Sequence, residues 1–78
     1  MSEETKNIHP IVRHIKTGIF YKWEGGNKYT NLCTGISGEV PDEVAKKIFR
    51  INLPLTIMAG KNPLIEDLIK GLNLVHLN

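Results

Sequence analysis

Apolar positions follow a period of two in the first half of the chain and a helical period in the second. From Ile19 to Thr34, aromatic and β-branched residues flank Gly25-Gly26. That pattern fits two pleated strands joined by a tight turn whose glycines supply positive φ angles. With Gly25-Gly26 as a two-residue turn, Trp23 stands opposite Lys28, Tyr21 opposite Thr30 and Ile19 opposite Leu32. Ile19, Tyr21, Trp23, Thr30 and Leu32 then share the more apolar face, the expected core side. Phe20, Lys22, Tyr29, Asn31 and Cys33 share the other. Val12-Arg13-His14-Ile15-Lys16 predicts a further strand, ended at Thr17-Gly18.

Pro41 opens a first predicted helix, over residues 40–50. Asp42 and Glu43 in its first turn and Lys46, Lys47 and Arg50 in its last complement the helix dipole. Val44 with Ile48, and Ala45 with Phe49, form its apolar stripe. A second helix starts at Asn62-Pro63, a capping residue followed by a proline that suits the first helical position. It carries Leu64, Ile65, Leu68, Ile69 and Leu72 inward and Glu66 and Asp67 outward, with Gly71 as its expected terminator. The apolar tail from Leu72 to Asn78 reads as a terminal strand. Between the helices, Ile51 to Met58 reads as an edge strand or extended link, because Pro54 has no N–H for a central ladder. The expected fold is therefore α+β: a small antiparallel sheet built on a hairpin, two short helices and an apolar C-terminal tail. Residues 1–10 form a polar N-terminal arm, and residues 11–78 form a single domain.

Length changes the picture more than composition does. A chain of 78 residues buries only about 60–65% of its unfolded surface, so its core is thin, and such domains draw stability from cross-links, a metal or association. Cys33 is the only cysteine, which rules out a disulfide within the chain and fits a reducing compartment. The net charge of +2 is too small for a strong nucleic-acid footprint. The polar, acidic start Met1-Ser2-Glu3-Glu4 is unlike a signal peptide, and no apolar run reaches the roughly 20 residues needed to span a bilayer. The expectation is a cytoplasmic or virion location with no membrane partner.

The residues that carry chemistry have structural explanations. Cys33 lies in Asn31-Leu32-Cys33-Thr34-Gly35, which has no helix start after it to activate a thiolate. His9, His14, His76 and Cys33 lack the close pairwise spacing of a zinc site. Gly25-Gly26-Asn27-Lys28 lacks the frame of a phosphate loop. The acid pairs Asp42-Glu43 and Glu66-Asp67 fall in first helical turns, where the dipole accounts for them. No catalytic constellation and no cofactor follow from these residues, so the expected class is a non-enzymatic binding protein. The alternative is a nucleic-acid-binding or regulatory module, in which Arg13, Lys16, Lys22 and Lys28 hold phosphates while Tyr21, Trp23 and Tyr29 stack bases.

Tyr21-x-Trp23, Gly26-Asn27-x-Tyr29-x-Asn31, Gly38-Glu39-x-Pro41 and Asn62-Pro63-Leu64-Ile65 together resemble the texture of small virion or accessory proteins of tailed bacteriophages. The resemblance implies a structural or accessory component, present in many symmetric copies, whose partners are copies of itself or other particle proteins. The long β-rich or coiled-coil section common in such proteins is missing. Because aromatic residues are common interface anchors and chain ends are seldom apolar, the expected contact residues are Phe20 and Tyr29 of the hairpin and Leu74 and Leu77 of the tail.

Overall fold

Strand, helix and turn preferences resolve into one sheet clad on both faces. The computed structural model describes residues 10–62 and 64–77. Strands β1 (Ile11–His14), β2 (Phe20–Gly25), β3 (Lys28–Asn31) and β4 (Ser37–Glu39) lead into helix α1 (Asp42–Ile48). Strand β5 (Phe49–Ile51) and helices α2 (Leu53–Lys61) and α3 (Leu64–Leu77) follow. The order across the sheet is β4-β3-β2-β1-β5, and every pairing is antiparallel. The return of β5 to the edge beside β1 is the one connection that leaves sequence order.

Alternation along each strand divides the core in two. Ile11 and Leu32 pack with Ile65 and Ile69 of α3, supported by Phe20 and by Leu55 and Ala59 of α2. On the other face Val12, Ala45 and Phe49 pack together, with Tyr21, Tyr29, Val40 and Ile48 against them. Thus α2 and α3 cover one face, and the short α1 covers part of the other. Two polar side chains are buried in the first layer and tie it together. Thr56 of α2 accepts the Ile11 N–H at 2.7 Å. Asn73 of α3 accepts the Phe20 N–H at 3.1 Å, while its Nδ2 has no partner among the described residues.

The first helix, expected over 40–50, stops at Ile48, and Phe49 and Arg50 belong to β5; four further expectations are corrected. The hairpin register is shifted by one residue: Trp23 pairs with Tyr29, Tyr21 with Asn31 and Gly25 with Lys28, with an irregularity between Trp23 and Gly25. The turn is therefore Gly26-Asn27 and not Gly25-Gly26, and Gly26 takes φ +56°. The Trp23 indole N–H, bonded to the Gly26 carbonyl at 2.8 Å, secures this arrangement. A one-residue slip reverses the facing of a strand, so Tyr29 joins Tyr21 and Trp23, while Thr30 turns away to bond Glu24 at 2.8 Å.

The second correction concerns residues 53–61, expected to be extended. They form α2, so there are three helices and not two. Asn52 caps it, its Oδ1 accepting the Leu55 N–H at 3.1 Å, and Pro54 sits in the first turn, where a missing N–H breaks no bond. Third, the apolar tail is not a strand, because α3 continues to Leu77. Fourth, Gly71 does not terminate that helix, whose later turn buries Asn73 against β2. The expected N-terminal arm lies outside the described residues, apart from Pro10.

Gly71 supplies a test of this extended helix. A Cβ at this position meets nothing within 4 Å, and alanine is favoured over glycine inside a helix by about 0.8–1 kcal/mol. Gly71→Ala should therefore stabilise the protein by about 0.5–1 kcal/mol in urea unfolding. A destabilised variant would mean that α3 ends before residue 71.

Candidate functional site

The arc of apolar side chains on α3 is wider than the sheet can cover. Residues 64, 65, 68, 69 and 72 span well over the roughly 100° stripe of an ordinary surface helix. Ile65 and Ile69 turn inward and are buried, whereas Leu64, Leu68 and Leu72 are left 67%, 63% and 57% exposed. These three leucines are spaced four apart, so they stand above one another in a continuous outer stripe. The helical layer also exposes Leu74 on α3 and Leu53, Ile57 and Met58 on α2. The three leucines of the stripe present on the order of 300 Å² of apolar surface, the size at which a patch on a small protein is often a contact site. Asp67 and Lys70 of α3 are also exposed, and the helical repeat sets Lys70 on the far side of the helix from Leu68.

The opposite face of the sheet carries an aromatic cluster. Phe49 of β5 lies at its centre, with ring centroids 4.9 Å from Tyr21, 4.8 Å from Tyr29 and 5.7 Å from His14. The shifted hairpin register brings both tyrosines to this face, and α1 closes one side of it through Ala45. Beyond the tyrosines runs an open groove of about 350 Å³ bordered by Asn31, Ile36 and Val40. Burial, and then the nearby Asp42 carboxylate, raise the Tyr29 phenol above its ordinary 10.0. The unfolded chain releases this proton first, so the stabilising effect of a neutral Tyr29 is complete below pH 10 and fades as pH climbs through the raised folded value. Tyr29→Phe should flatten the alkaline limb of a stability–pH curve. An unchanged limb would place the phenol in open solvent.

The residues expected to make contacts are dispersed. Phe20 packs inward on the α3 layer, Tyr29 lies in the aromatic cluster on the other face, and Leu74 is exposed on α3. Leu77 belongs to the last turn of α3, and its side chain lies outside the described residues. Sequence reasoning placed Leu64, Leu68 and Leu72 in the core, and the signal that separates them from it is the excessive width of the apolar arc. The basic and aromatic groups of the nucleic-acid alternative are also separated. Strand alternation turns Arg13, Lys22 and Lys28 away from the tyrosines, and Lys22 is paired with Glu66 at 3.2 Å.

Among the described residues, no cluster of three or more histidine, cysteine or acidic side chains is placed to hold a metal ion. None of the described helices is long and apolar enough to cross a membrane. Comparison of the chain with protein-family models, with curated proteins and with solved structures gives no match.

Proposed function

We propose that the protein acts by association and not by catalysis, and that two copies pair through the outer face of α3. The exposed stripe Leu64-Leu68-Leu72 carries this reading. A second copy suits it because the stripe is self-complementary about a two-fold axis at Leu68. Antiparallel pairing there sets Leu64 against Leu72 of the second copy. Such an isologous contact closes on itself and opposes the two helix dipoles. The exposed leucines, removed from water, supply the driving force that a core of this size supplies only sparingly. The resemblance to small proteins of tailed-phage particles fits this reading, since such components act as repeated copies in contact with other particle proteins.

Chemical cross-linking tests the axis. In a Cys33→Ser background, Leu68→Cys should be joined to its symmetry mate by a short bis-maleimide, because packed helices lie 8–10 Å apart. Lys47→Cys on α1 should not be joined. Equal cross-linking at both positions, or none at position 68, would remove the proposed pairing.

A further inference from the structure

Arg13 of β1 and Arg50 of β5 are direct partners in the antiparallel ladder. Their Cβ atoms therefore stand about 5 Å apart on one face of the sheet. Like charges in this position destabilise a sheet, and both side chains are exposed. Among the described residues neither has an acidic partner. The two ion pairs there, Lys22–Glu66 and Lys46–Asp42, use other cations.

A cavity of about 260 Å³ lies against both arginines and is completed by Ile15, Ile51 and Asn52. Asn52 commits its Oδ1 to the Leu55 N–H, which leaves its Nδ2 donors for another acceptor. No acidic residue lies in the first turn of α2, which starts beside it. The side-chain polar groups around this cavity are thus two guanidiniums and a carboxamide NH₂, all donors. The apolar side chain on the arginine face is Ile15, while the ladder turns Ile51 towards Val12 and Phe49.

We propose that this cavity binds a phosphate monoester, with the phosphoryl oxygens on Arg13, Arg50 and the Asn52 amide and the organic portion along Ile15, which follows Arg13 by two residues on the same face. Two guanidiniums offer two positive charges and paired N–H forks. A phosphate monoester matches them with close to two negative charges and three free oxygens. A carboxylate has one charge and two oxygens, and a phosphodiester has one charge, so each matches less well. A bound dianion also offsets the repulsion that the cross-strand arginine pair imposes on the fold. This site lies at the β1–β5 edge and does not depend on the pairing of α3.

The test is a ¹⁵N–¹H NMR titration of the full chain with phenyl phosphate, inorganic phosphate, benzoate and a single-stranded oligonucleotide. Phenyl phosphate should give saturable shifts confined to the surroundings of Arg13, Arg50 and Asn52, with at least 10-fold tighter binding than benzoate. Tighter binding of phenyl phosphate than of inorganic phosphate would place the ester's organic portion on Ile15. Equal binding of the two would overturn that part of the assignment. Arg50→Gln should weaken phenyl phosphate binding at least 10-fold, and Lys47→Gln should leave it unchanged. Arg50→Glu should abolish binding yet raise the melting temperature in phosphate-free buffer, because it turns a repulsive cross-strand pair into an attractive one. Non-saturating shifts spread over all basic residues, undiminished binding by Arg50→Gln, or preferential binding of the oligonucleotide would each overturn the proposal.

Discussion

Leu68→Glu should convert the protein from dimer to monomer while leaving its fold intact. Leu68 is 63% exposed on α3, so in a single copy the glutamate keeps its water and costs little stability. In the proposed pair, position 68 lies on the two-fold axis, and the substitution faces one buried carboxylate with another. Loss of a central apolar anchor costs about 2 kcal/mol or more, and opposed like charges across an interface cost several more. The dimer dissociation constant should therefore rise by more than about 100-fold. Size-exclusion chromatography with light scattering reads the mass, and far-UV circular dichroism reads the fold. A variant that remains dimeric would show that the leucine stripe is not the contact. A variant that unfolds would show that Leu68 belongs to the core.

The next residue should behave in the opposite way. Ile69 is 1% exposed and packs with Ile11, Leu32 and Ile65. Truncating a buried isoleucine to alanine removes its transfer energy and leaves a cavity, at a cost of about 2–5 kcal/mol. A small domain starts near the lower end of the usual 5–15 kcal/mol of stability, so Ile69→Ala should remove a large share of it. The urea midpoint should fall sharply, measured in the Leu68→Glu background so that dissociation does not contribute. A loss below about 1 kcal/mol would mean that α3 is rotated from the orientation described. The contrast between adjacent positions is sharp because 100° of helical rotation separates a core side chain from an outer one.

These same positions mark where sequence reading succeeds and where it stops. The hairpin, the start of α1 after Pro41 and the Asn62 start of α3 are legible, because turn, proline and capping chemistry are local, whereas the expected run of that first helix to residue 50 fails because Phe49 and Arg50 join β5. Asn62 accepts the Leu64 N–H at 3.1 Å, as its place in the sequence implies. Asn52-Leu53-Pro54 carries a related signal, a capping asparagine with proline in the first turn. Pro54 suits a strand edge as well as a first helical turn, and that ambiguity conceals α2 in the sequence.

The hairpin register was not legible from glycine content alone. Gly25-Gly26 and Gly26-Asn27 are both acceptable turns, and pairing of Trp23 with Tyr29 and the indole hydrogen bond decide between them. Gly71 has the sequence signature of a terminator, but its local cost of about 1 kcal/mol is small beside the burial and hydrogen bonding that a longer α3 gains. The leucine stripe was visible as apolar periodicity, but periodicity does not say which part of a wide arc the sheet covers. The juxtaposition of Arg13 and Arg50 was beyond sequence reasoning, since it exists only through the return of β5 to the side of β1.

Sedimentation equilibrium of the unmodified protein, over a range from low micromolar to several hundred micromolar, tests the association reading most directly. Pairing through α3 predicts a reversible, concentration-dependent approach to twice the 8.8 kDa chain mass. A single species of 8.8 kDa across the whole range would contradict it.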